Sequence, residues 1–267
     1  MSFGGTMAVV LRQFYLMRGS AARVLPLFAW VAIDIVLWGF MAKYLSSITS
    51  SGFRFVPSLL GAVLLWDFFG RVIFGVTTAF LEDVWSRNFL NFFASPMTIP
   101  DYVGGLVLSS ILTSCIGLFA MVLLAAAAFG LSLFSYGIAL LPFLLVLFLF
   151  GIAMGIFGTA IVLRFGPAAE WFIWPLPALI SPFASVFYPL STLPQWMQWT
   201  ARLLPPSYVF ESVRATVQGQ NPWWAGLGVS AVLALLYIVL AGMTFTRVFR
   251  LAIRTGLIAR YSAETVS

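Results

Sequence analysis

Histidine is absent from this chain of 267 residues, lysine occurs once, at Lys43, and cysteine once, at Cys115. Each absence excludes something. Without histidine the commonest general base and metal ligand is gone, and no serine–histidine pair can form. One cysteine cannot make an intrachain disulfide. Lys43 has no glycine-rich loop before it, so the G-x-x-x-x-G-K-[ST] loop that grips nucleotide phosphates is missing. The chain cannot bind and hydrolyse ATP in that manner alone. A G-x-S-x-G nucleophile elbow is lacking as well. Charge is scarce: 8% of residues carry it, against about 25% in an ordinary soluble domain.

What is present is apolar, at 62% of residues, too much for a surface facing water. The composition therefore predicts an all-α polytopic membrane protein. A span needs roughly 20 apolar residues, and six candidates follow: Leu25–Leu45, Pro57–Phe80, Tyr102–Phe129, Gly137–Leu163, Ala168–Leu190 and Trp223–Val248. The expected organisation is an interfacial N-terminal helix over 1–24, a six-span transmembrane domain over 25–250 and a cytoplasmic tail over 251–267. Met7, Val10, Leu11 and Phe14 recur at helical spacing in the first of these. Lys43 and Tyr44 follow the first apolar run where a cleavable signal would carry small residues, so that run is expected to stay as an anchor.

The net charge of +6 reads as topology, because the basic residues sit at span ends and not in a patch interleaved with exposed aromatics; nucleic acid is not an expected partner. With the N-terminus in the cytoplasm, Arg12, Arg18, Arg23, Arg87, Arg164, Arg247, Arg250, Arg254 and Arg260 fall inside. Lys43, Arg54, Arg202 and Arg214 fall outside, and Arg71 lies within a span. Both termini are then cytoplasmic.

Asp34 and Asp67 lie near mid-span at similar depth, and Arg71 follows Asp67 by one turn. That spacing favours an ion-paired cluster that stabilises or gates. A substrate-lining role and an aspartyl dyad remain as alternatives. Glu170, near Arg164 across Gly166-Pro167, reads as an interfacial ion pair or a gate. The fifth span is interrupted by Pro175, Pro177 and Pro182 and carries Trp171, Phe172, Trp174, Phe183 and Phe187. Prolines here need neighbours to satisfy freed carbonyls, so this span packs inside protein or lines a cavity. The long segment Ser191–Asn221 holds Trp196, Trp199 and Pro205-Pro206. Thr192 is expected to cap one short helix, with Pro194 in its first turn, and Glu211 and Arg214 share a face of a second.

The most polar internal stretch is "EDVWSRNFLNFFASPMTIPDY", Glu82 to Tyr102. Read as a helix, it places Trp85, Phe89, Phe92 and Phe93 on one face and Arg87, Asn88, Asn91 and Ser95 on another. Ser95-Pro96 stops it, and Thr98-x-x-Asp101 reads as a capping box for the third span. A plain lipid anchor would be rich in lysine and arginine. This face is mostly neutral hydrogen-bonding side chains, a composition that suits docking into a partner's cleft.

Here the chain resembles the permease subunits of ABC exporters of the ABC-2 type transporter class. The resemblance rests on the linker with its "RNFLNFFASP" core and on the six-span plan behind an interfacial helix. It rests also on "FYPLSTLPQWMQWTARLLPPSYVFESVRATVQG" before the last span, through Tyr188-Pro189, Leu193-Pro194, Pro205, Glu211 and Arg214. It implies a homodimer, or a pair of similar permeases, with two separate ATPase subunits that bind ATP and magnesium; this chain would carry no cofactor. The linker, with Glu82, Asp83, Trp85, Arg87, Asn88, Asn91, Ser95 and Pro96, would be the coupling helix seated in the ATPase. The first, second and fifth spans would line the export path, with Trp30, Trp38, Glu170, Trp171, Trp174, Phe183 and Phe187 on it. Half-helices over Thr192–Gln218, with Pro194, Trp196, Trp199, Pro205, Glu211 and Arg214, would cap it outside, and the setting would be the lipid of a bacterial inner membrane. Polysaccharide exporters of the class carry a lysine and a phenylalanine-proline pair in this linker. Here Asn91 to Pro96 read N-F-F-A-S-P, which points to a drug or lipid-linked oligosaccharide. The competing readings are a stand-alone secondary transporter or channel, and a membrane enzyme of the aspartyl type.

Overall fold

The computed structural model describes residues 3–48, 56–85, 95 and 97–256. They form helices and turns, and no strand occurs among the described residues. In chain order the helices are α1 (Phe3–Arg18), α2 (Ala21–Ile48), α3 (Gly61–Trp85, entered through a wide turn at Val56–Leu60), α4 (Ile99–Phe129), α5 (Leu140–Phe165), α6 (Leu176–Ile180), α7 (Gln195–Arg202), α8 (Pro205–Val217) and α9 (Trp224–Arg254).

Local chemistry sets the ends. Thr98 opens α4: its backbone N–H and its hydroxyl both donate to Asp101 Oδ2, at 3.1 and 2.6 Å. This is the expected capping box, and it starts the third span at Ile99, three residues before the expected Tyr102. Gly130 closes α4 at φ +67°, a left-handed conformation that glycine adopts without a Cβ penalty. The second span runs past Phe80 to Trp85, so Glu82 and Asp83 end a membrane helix and do not begin the linker helix.

Among the described residues, five helices are long and apolar enough to cross a membrane: Phe28–Ile48, Ser58–Asp83, Ile99–Phe129, Tyr136–Phe165 and Trp224–Arg254. The sixth expected span, Ala168–Leu190, is no continuous helix. A 3-10 segment at Pro167–Phe172 gives way to the five-residue α6 and then to turns. The prolines explain the break: Pro175, Pro177 and Pro182 donate no N–H, and their rings crowd the preceding turn. Neighbours take up a freed acceptor, as where the Tyr188 hydroxyl donates to Pro182 O at 2.7 Å. Ser185, buried, adopts a left-handed φ of +55° in this stretch.

The expected pair of short helices is present as α7 and α8, with one change. Pro194, in extended conformation, is the residue before α7. The Thr192 hydroxyl donates instead to Pro189 O at 2.7 Å. Leu193 precedes a proline and is held extended at ψ 147°, so no helix can start there.

The centre of the bundle is α5, packed on α3 on one side and α9 on the other. Its approach to α3 runs through G-x-x-x-G: a Cβ on Gly151 or Gly155 would sit 2.8 Å from Val72 Cβ or Val76 Cβ. α3 in turn packs on α4, and α1 lies along α4. Large apolar side chains stay outside the fold on α2 (Ile33, Val36, Leu37, Phe40), α4 (Leu112, Ile116, Phe119) and α9 (Val232, Leu235, Leu236). Such faces need lipid or another apolar surface over them.

Candidate functional site

A cavity of about 750 Å³ opens between α1, α2, α3, α4 and the broken segment before and within α6. Along α3 its wall runs from Trp66 to Glu82, roughly 24 Å at 1.5 Å per residue. Asp34 from α2 and Asp67 and Arg71 from α3 all line it, close enough to act on one another's charge. The three residues that spacing grouped thus share a cavity wall and not a packed core. Asp67 Oδ2 is buried with no hydrogen-bond partner among the described residues. Arg71 reaches across to α4, where a Cβ on Gly117 would sit 2.8 Å from its Nη1.

The aromatic residues expected on the path divide. Trp30 and Trp174 line the cavity, and Trp174 packs on Phe74 at 4.8 Å between ring centroids. Trp38 and Phe187 stack on each other at 5.0 Å and 11° and are not part of the cavity lining. Phe183 meets Trp196 edge-on at 6.5 Å. Trp171 points outward, 76% exposed. Glu170 is half-buried, with Oε2 unpartnered among the described residues.

Several lining residues escaped the sequence reading. Trp66 was one. Ser109, Thr113 and Ser114 on α4 were others, although the run Ser109-Ser110-Ile-Leu-Thr113-Ser114 is a visible polar signal in an apolar helix. Gln13 and Met17 bring α1 into the wall, so the N-terminal helix is part of the site and not only an anchor on a surface.

Below the cavity lies a second cluster. Asp83, at the end of α3, is fully buried; it pairs with Arg12 of α1 and accepts a hydrogen bond from the Tyr102 hydroxyl of α4 at 2.7 Å. Gln13 Nε2 donates to Ala79 O one turn earlier on α3, at 3.4 Å. Asp83 was expected on a docking surface; in the fold it joins three helices and is not accessible to a partner. Glu82 is half-buried at the cavity end and Ser95 is exposed in a turn. Arg87, Asn88, Asn91 and Pro96 lie outside the described residues, as does the side chain of Trp85.

At the opposite end of the fold, the Arg214 guanidinium donates to the carbonyls of Ser185 and Tyr188 and to Glu211 Oε1, the last at 3.1 Å. Glu211 also accepts the backbone N–H of Leu190 at 2.8 Å. The expected i,i+3 pair on α8 therefore fastens the irregular chain after α6. Trp196 and Trp199 on α7 stand exposed, and Pro205 begins α8.

Compared with known proteins, the chain finds no match among curated ones. A family model does match: that of the ABC-2 type transporter, over residues 21–217. These residues run from the first turn of α2 to the last of α8, and so hold most of the cavity wall, the base at Asp83 and Tyr102, and the Glu211–Arg214 fastening. The match covers well over half of an apolar, all-helical chain, which belongs to the ABC-2 type transporter family.

Proposed function

We propose that this membrane protein is the permease subunit of an ATP-driven ABC exporter, and that the cavity is part of its path for an amphipathic substrate. Family membership supports the transport role. The single observation that carries the finer reading is the cavity running along α3 from Trp66 to Glu82, to the helix end from which the linker departs. Movement at that end would be felt along one wall of the path. The buried Arg12–Asp83–Tyr102 cluster supports such a transfer, because it ties both ends of the linker, the last turn of α3 and the first of α4, to α1.

In this reading two ATPase subunits bind ATP and magnesium, and each seats a linker whose Arg87, Asn88 and Asn91 make the contact. Two permease copies form the transporter, both termini face the cytoplasm of a bacterial cell, and the setting is the inner membrane. The broken segment over 168–190 serves as a discontinuous sixth crossing, with Trp174 and Pro177 on the cavity wall. α7 and α8 cover the outer end.

The test is purification with a candidate ATPase, followed by ATP turnover with and without this chain. Stimulated turnover and ATP-dependent transport in proteoliposomes are expected. Arg87→Glu combined with Asn91→Asp is expected to uncouple hydrolysis from transport by at least tenfold while membrane insertion is kept. Transport driven by an ion gradient alone, with no ATPase retained, would sink this reading in favour of a secondary transporter.

A further inference from the structure

We propose that the cavity is a binding site for an organic cation that carries aromatic rings and N–H donors. Among the described residues, the cavity lining places two carboxylates, Asp34 and Asp67, beside one guanidinium, Arg71. Acidic groups thus outnumber the basic one there. Away from bulk water that imbalance favours a cation and disfavours phosphate or sulfate groups.

Two hydroxyls make the site more than a group of acids. Ser109 and Ser114 are 6% and 1% exposed, line the cavity, and have no hydrogen-bond partner among the described residues. Their neighbours behave differently: Thr113 bonds to Ser109 O at 3.1 Å, and Ser110 to Val72 O at 3.0 Å. A buried hydroxyl left without a partner is costly. Both Oγ atoms can accept an N–H from a ligand, as can Asp67 Oδ2, buried and unpartnered in the same wall.

The lining also carries four aromatic side chains, Trp30, Trp66, Phe74 and Trp174. Ring faces attract a nearby cation, most strongly when it is desolvated, and they stack on flat ring systems. The volume of about 750 Å³ lies in the range of sites that enclose a drug-sized molecule, roughly 300–1,000 Å³. Of the two cargo classes left open by the linker sequence, this chemistry selects the drug-like cation over the lipid-linked oligosaccharide, whose phosphates would face the carboxylates. As cargo the cation rests on the exporter reading above; as a ligand it does not.

The experiment uses the full chain in phosphatidylcholine nanodiscs, without ATPase or nucleotide. Rhodamine 6G, a ring-bearing cation with N–H groups, is titrated by fluorescence anisotropy against empty nanodiscs, with the anion 8-anilinonaphthalene-1-sulfonate as its counterpart. Saturable binding of the cation is expected, at least tenfold tighter than of the anion. Asp34→Asn and Asp67→Asn are each expected to weaken it about tenfold, and Ser109→Ala with Ser114→Ala about threefold, as the loss of charged and of neutral hydrogen bonds implies. Equal or tighter binding of the anion would overturn the proposal. So would parental affinity in both asparagine variants at an unchanged melting temperature. Should Asp67→Asn unfold, the half-buried Asp34→Asn and the charge preference of the unaltered protein still decide. Cation binding without any effect on a partner ATPase would count against the exporter reading alone; ATP-driven transport with no preference for cations would count against this site alone.

Discussion

At Arg214 one guanidinium gathers acceptors from three places: the carbonyls of Ser185 and Tyr188, 29 and 26 residues earlier, and the carboxylate of Glu211 one turn back. The carbonyls belong to chain whose helix the prolines and the positive φ of Ser185 have broken. Charge-assisted hydrogen bonds of this kind contribute about 2 kcal/mol each. Arg214→Ala is expected to destabilise the fold by about 2–3 kcal/mol, read as a lower melting temperature in detergent. Arg214→Lys should recover little of it, since a single ammonium lacks the planar fork that reaches several acceptors. A lysine variant as stable as the parent would show the geometry to be unimportant. The i,i+3 pairing of Glu211 with Arg214 was legible in the sequence. The carbonyls it serves were not, because backbone groups carry no residue identity and the separation is too long for any local pattern.

At the scale of elements, α1 is the instructive case. Its apolar spacing was legible as a helix lying on a surface. What it does was hidden, because the Arg12–Asp83 pair joins residues 71 apart. Asp83 is fully buried, and a buried carboxylate stripped of its cation is costly, about 3–5 kcal/mol when one partner of such a pair is removed. Arg12→Gln and Asp83→Asn are each expected to loosen α1, seen as faster proteolysis of the N-terminal segment, with the double variant far less damaged than the sum of the two. Additive losses would mean that the two side chains do not act as a pair. Close approach also holds α1 in place: a Cβ on Gly105 of α4 would sit 2.5 Å from Val9 Cβ. The broken fifth segment teaches the converse lesson. Its prolines announced trouble in the sequence, and the structure converts them into short turns whose Trp174 and Pro177 form part of the cavity wall.

For the whole molecule, the membrane-length helices α2, α4 and α9 expose apolar side chains. Those faces would be intolerable in water and are ordinary in lipid. Cys115 tests this without any engineered label. It is the only cysteine in the chain, and it is exposed on α4 between Leu112 and Phe119. In intact membranes a maleimide carrying polyethylene glycol is expected to leave it unmodified, because the reactive thiolate is suppressed in hydrocarbon and the reagent cannot enter. After solubilisation in sodium dodecyl sulfate the same reagent should modify it fully. Rapid modification before solubilisation would place that face of α4 in water.

By itself the sequence determined the class of molecule, five of its six expected spans as long helices, the capping box at Thr98 and the polar character of Asp34, Asp67 and Arg71. These follow from composition and from spacing within one helix, where neighbours in sequence are neighbours in space. Tertiary structure alone decided that Asp34, Asp67 and Arg71 share a cavity, that hydroxyls of α4 line it too, that Asp83 is buried under α1, and that the proline-rich segment bends into the wall. Each of these joins residues from different helices. The side chains that carry them are few among many apolar contacts that would tolerate several arrangements, so only the packing of the helices selects which of them come together.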